Sequence, residues 1–129
     1  MKQLVLIAGG VYGMLAVILG AFGAHAFKRM LTPEKLISFE TGVQYQMYHA
    51  ILLLVIGFAL SFASSLEKWS AICIITGVIL FSFSIYFLSF AEYWGINLRF
   101  LGPITPVGGL FMITGWMLLI IHFVKSKVL

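Results

Sequence analysis

The chain has 129 residues, of which 62% are hydrophobic and only 9% charged, and its mean hydropathy is +1.11. Soluble domains run about 45–50% apolar and about 25% charged, and a chain this small has too little interior to hide so much apolar side chain, so a soluble domain and a disordered chain are both excluded. The net charge of +4 comes from Lys and Arg set singly or in pairs at the ends of apolar runs, a placement that suits anionic lipid headgroups and offers no basic stripe for nucleic acid.

The first apolar run covers residues 4–27, between Lys2 and Lys28-Arg29. As a helix it would rise about 36 Å, enough for a hydrocarbon core of about 30 Å. Ala24-His25-Ala26 has the look of a signal-peptide cleavage site, but the apolar stretch is too long for a usual signal core. Gly9, Gly13, Ala16, Gly20 and Ala24 recur every three or four positions and share one helix face. Such small-xxx-small spacing lets another helix approach closely, either within the bundle or between copies in a homo-oligomer.

Residues 33–46 read as a short amphipathic helix lying in the membrane interface. Thr32 is the N-cap, Pro33 the first position and Glu34 a first-turn acid. Were this segment continuous with the next span, Gly42 would be the place for a bend. The second run covers 47–65 and the third 69–91, rich in aromatic residues around Phe81, Phe83, Tyr86, Phe87 and Phe90, with Trp69, Tyr93 and Trp94 at interface depth. The fourth covers 104–124, opened by Pro103 and closed by Lys125 and Lys127. Helices and closed barrels alone satisfy their backbone groups in lipid, and these runs lack the alternation of barrel strands. The expected architecture is all-α: one integral membrane domain over residues 1–129, a four-helix transmembrane bundle with both termini on the same side. Basic residues stand four against four across its two ends, and discounting Arg99 as paired inside the bundle tips the count toward cytoplasmic termini.

The costly polar residues concentrate near one end. Glu40, Gln44 and Tyr48 share a helix face, and Tyr45 and His49 form a neighbouring pair. Topology can bring them toward His25, Glu92, Asn97 and Arg99, with Glu40 or Glu92 pairing with Arg99, because unpaired polar groups in hydrocarbon cost several kcal/mol. His25, His49 and Glu40 are the candidate ligands for a metal, although no metal or cofactor is expected: His25 and His49 flank one connection and no HExxH occurs. Cys73 is the sole cysteine, which excludes an intrachain disulfide, and there is no Asp.

Three motifs resemble those of the YgdD/YwdK family, whose eukaryotic relatives are called transmembrane protein 256. They are Gly20-Ala21-Phe22-Gly23-Ala24-His25, Phe39-Glu40-Thr41-Gly42-Val43-Gln44-Tyr45-Gln46-Met47-Tyr48-His49 and Leu101-Gly102-Pro103-Ile104-Thr105-Pro106-Val107-Gly108-Gly109. The resemblance covers essentially the whole chain. It implies a small multi-pass membrane protein and transfers no catalytic residue. The reading that follows is a non-enzymatic scaffold or a module binding membrane lipids or a partner. One alternative is an oligomeric transporter or pore, though the middle of every span lacks formal charge. Another is a membrane enzyme or metal site built on His25, Glu40 and His49.

Overall fold

A computed structural model describes residues 1–127. All regular elements in it are helical. Helix α1 is Lys2–Ala24, followed by a 3-10 turn at Ala26–Arg29. Helix α2 is Pro33–Ala59. Helix α3 runs from Ser65 to Trp94 and contains a π-helical segment, Ile79–Phe83. It stops at Gly95, whose φ of 68° gives the left-handed turn that glycine takes without a Cβ penalty. A 3-10 turn at Arg99–Leu101 then leads to helix α4, Ile104–Lys125. All four helices are long and apolar enough to cross a membrane.

Two expectations are corrected by the course of α2. Residues 33–46 are not a separate interfacial helix; they are the first half of α2, capped by Thr32, whose hydroxyl accepts from the Lys35 amide at 3.3 Å. Nor does Gly42 act as a hinge. It is buried inside an unbroken helix, where a Cβ would stand 2.8 Å from the Tyr86 ring. The glycine is there for close approach. At its other end α2 stops at Ala59 rather than continuing to 65, because Ser64 starts the next helix with a capping box. The Ser64 hydroxyl accepts from the Glu67 amide at 3.3 Å, and the Glu67 carboxylate accepts from the Ser64 amide at 2.9 Å. Between the helices Phe62 takes a φ of 58°, unusual for a bulky residue, and buries its ring against the core.

The bundle consists of two tight pairs, α1 on α2 and α3 on α4, joined through α2 and α3. Glycines set both pairs. A Cβ on Gly9 would meet the Ala50 carbonyl oxygen at 3.0 Å, and Gly13 and Gly20 also face α2. The small-residue stripe of α1 is therefore used within the chain, with Ala16 buried and only Ala24 left exposed. In the second pair a Cβ on Gly77 would meet the Met112 amide nitrogen at 2.9 Å, and one on Gly115 the Ser70 carbonyl oxygen at 3.1 Å. Gly108 lies against the backbone of the π-helical segment, where a methyl group would collide with the Phe81 nitrogen. Near the loop end, Phe27 packs edge-on to Phe39 and Phe90, with ring centroids 5.3 and 4.8 Å apart.

Gly108→Ala is expected to destabilise the detergent-solubilised protein by about 1–3 kcal/mol, since rigid backbone must move to admit the methyl group. Gly10→Ala, where nothing lies within 4 Å, is expected to be neutral or slightly stabilising. Thermal unfolding of both variants checks the contrast.

Candidate functional site

The polar groups that the bundle gathers lie in its middle, not at its rim. Gln46 sits halfway along α2 and is fully buried. Its Nε2 donates to the Tyr12 carbonyl of α1 at 2.8 Å, and its Oε1 accepts from the Tyr86 hydroxyl of α3 at 2.6 Å. The two partners fix the amide orientation, since a carbonyl can only accept and the hydroxyl here donates. The Tyr12 hydroxyl in turn donates to the Ile75 carbonyl of α3 at 2.8 Å. The Ser82 hydroxyl, inside the π-helical segment, donates to the Gly42 carbonyl of α2 at 2.8 Å. Ser84 of α3 and Thr105 of α4 share a hydroxyl–hydroxyl bond of 2.6 Å. Every helix is thus tied to a neighbour by a side-chain hydrogen bond at membrane depth. Among the described residues no buried side-chain nitrogen or oxygen lacks a partner.

His49 joins this interior. Its Nδ1 lies 2.7 Å from the Tyr45 carbonyl oxygen and its Nε2 accepts from the Trp116 indole at 3.1 Å. An indole N–H only donates, so the pair requires a neutral imidazole with its proton on Nδ1. Both ring nitrogens are thereby occupied. Tyr45 stacks on Phe81, with centroids 5.1 Å apart.

The expected rim cluster does not come together. His25, Glu40, Gln44, Tyr45, Tyr48, Glu92, Asn97 and Arg99 are all exposed. The reason is the helical phase of α2. Phe39, Gly42, Gln46, His49, Leu53 and Ile56 form its buried stripe, which leaves Glu40, Gln44 and Tyr48 on the outside. Asn97 bonds locally, its Oδ1 accepting from the Arg99 amide at 3.0 Å. Among the described residues Arg99 makes no ion pair, so the reason for discounting it falls away and the basic residues stand four to four across the two ends. Nor do His25, His49 and Glu40 converge: Glu40 and His49 are about 13 Å apart along the helix axis, and His25 lies beyond the end of α1. Among the described residues no group of three or more His, Cys or Glu could hold a metal ion.

The single ion pair among the described residues is at the opposite end. Glu67, 5% exposed, lies 3.5 Å from His122 Nε2 of α4. Lys2 donates to the Phe58 and Leu60 carbonyls at 3.3 Å each, which ties the start of α1 to this end. In the sequence Glu67 and His122 stand at the edges of apolar runs, with nothing that pairs them. The Ser64-x-x-Glu67 spacing was the available signal. Tyr12 and Trp116 carried no signal beyond being aromatic residues within apolar runs.

A family model described as a protein of unknown function (DUF423) matches residues 19–109, a window that holds Gln46, His49, Ser82, Tyr86 and Gly108. The UPF0382 membrane protein of Staphylococcus haemolyticus is 38% identical over 123 residues, covering 95% of this chain and 97% of its own length. The chain belongs to this UPF0382/DUF423 family. Other members include YwdK of Bacillus subtilis, 37% identical over 93% of this chain and 95% of YwdK. The inner membrane protein YgdD of Escherichia coli is 31% identical over 98% of this chain and 93% of YgdD. The YgdD/YwdK resemblance of the three motifs is borne out, and the protein is an integral, multi-pass membrane protein. No solved structure matches it.

In this UPF0382 protein, Gln46→Leu is expected to lower stability by about 1–3 kcal/mol because it strands the Tyr86 hydroxyl. Adding Tyr86→Phe should recover part of that loss. A double-mutant cycle in detergent, read by thermal or denaturant unfolding, checks for this coupling.

Proposed function

We propose that the protein is a non-enzymatic membrane module that assembles with a second copy of itself through the outer face of α2. The observation that carries this reading is the contrast between the two faces of that helix. Inside, Gln46 and His49 are fully partnered; outside, Gln44 and Tyr48 are exposed, Tyr48 at 55%.

Depth makes the contrast costly. If Ala59 marks one edge of the hydrocarbon, a core of about 30 Å reaches back to about residue 40. Pro33 to Phe39 then stand in the headgroup region as the interfacial part of α2, and Glu40 reaches headgroup water. Gln44 lies about 6 Å inside the edge and Tyr48 about 12 Å. An amide and a hydroxyl at that depth want hydrogen-bond partners. Two copies of one membrane protein related by an axis along the membrane normal place equal residues at equal depth. A carboxamide and a hydroxyl each donate and accept, so each can pair with its own copy. The flanking Ile37, Ile51, Val55 and Phe58, all exposed, continue the same stripe and extend the contact in both directions.

In a Cys73→Ala background, Gln44→Cys and Tyr48→Cys should each form disulfide-linked dimers in native membranes under mild oxidation. Val17→Cys on α1 and Ile120→Cys on α4, equally exposed positions, should not. Gln44→Leu should lower the dimer fraction without lowering the melting temperature of the monomer. Uniform cross-linking at all four positions, or none at 44 and 48, would contradict the reading.

A further inference from the structure

The end of α1 carries two cavities that share two lining residues. A basic cavity of about 490 Å³ is lined by Ala24, His25, Ala26, Lys28 and Arg29. A wholly apolar cavity of about 500 Å³ adjoins it, lined by Ile18, Ala21, Phe22, His25 and Ala26. His25 and Ala26 belong to both. We propose that this pair of cavities is a binding site for one anionic phospholipid, the phosphate on Lys28 and Arg29 and an acyl chain along the groove below.

The local sequence builds each half. Ile18, Ala21, Phe22 and His25 follow the three-and-four spacing of one helix face. Ala21 is the small member, so the larger Ile18 and Phe22 form the walls and Ala21 the floor. The α-helix ends at Ala24 and the backbone tightens into the 3-10 turn Ala26–Arg29. That turn carries Lys28 and Arg29 just past the end of α1, beside His25. Lys28 and Arg29 make no ion pair with any described residue; the single such pair is Glu67 with His122. No carboxylate lines either cavity. The two cations are therefore free to neutralise a negative headgroup at the depth where span one leaves the hydrocarbon. Cationic groups above a dry groove match the two halves of a phospholipid. A free phosphate would engage the upper half only. The proposal is independent of the α2 face.

Native mass spectrometry of the full chain in detergent tests it, with phosphatidylglycerol and phosphatidylcholine offered at equal concentration. One phosphatidylglycerol should be retained in preference to phosphatidylcholine, and excess inorganic phosphate should not displace it. Lys28→Ala combined with Arg29→Ala should weaken retention about tenfold or more, the scale expected of two interfacial cations. Ala21→Leu, which fills the groove and keeps both charges, should weaken it too. Lys125→Ala with Lys127→Ala, removing two cations at the opposite end, should leave it unchanged. No headgroup preference, an equal loss from the Lys125/Lys127 pair, or unchanged retention in the Lys28/Arg29 variant with its melting temperature intact would each overturn the site. Unchanged retention in Ala21→Leu, or displacement by inorganic phosphate, would overturn its acyl-chain half.

Discussion

Inside a bilayer no water stands ready to bond a stray polar group, and this rule governs the bundle around Gln46. Its side-chain amide, fully buried in the middle of α2, is bonded to α1 on one side and to α3 on the other. Helix association in lipid lacks the hydrophobic drive available in water and relies on close packing and interhelical hydrogen bonds. The Gln46 bonds supply the second, and they also select one register: sliding α2 past its neighbours by a turn would carry the amide away from both partners. Ser82 on the Gly42 carbonyl and Ser84 on Thr105 fix the neighbouring levels in the same manner.

Close packing supplies the rest, and the glycines explain how the two principles fit together. Gly42 brings α2 near enough to α3 for Tyr86 to lie beside it and reach Gln46 one turn further on. Gly108 lets α4 press onto the π-helical segment of α3. That segment widens α3 where it must meet α2 and α4 at once. The result is an interior filled by partnered side chains and an outer surface on which α2 still shows unsatisfied ones.

Much of the architecture was legible in the sequence because lipid imposes length and composition directly. The four apolar runs, the Thr32 cap and the small-residue face of α1 follow from that. The inward face of α2 did not, for a physical reason. In water the apolar face of a helix marks the inside, but in lipid both faces are apolar and that signal vanishes. Gln44 and Gln46 are the same residue type two positions apart, one outside and one buried. The usable mark was size: Gly42, Ala50 and Gly57 run along the stripe that contains Gln46, and small residues point to helix contacts in membranes. Grouping polar residues by their end of the chain's topology, without that phase, placed Glu40, Gln44 and Arg99 in one cluster, whereas the structure leaves each exposed. The π-helical segment left no trace in composition.

The claim that polar pairing at mid-membrane organises this bundle is tested most directly by the side-chain amide protons of Gln46. In selectively labelled protein in lipid nanodiscs, nuclear magnetic resonance should show them protected from exchange with water and close to the Tyr86 ring. The amide of Gln3, exposed near the start of α1, should exchange freely. Exchange at Gln46 as fast as at Gln3 would contradict the account.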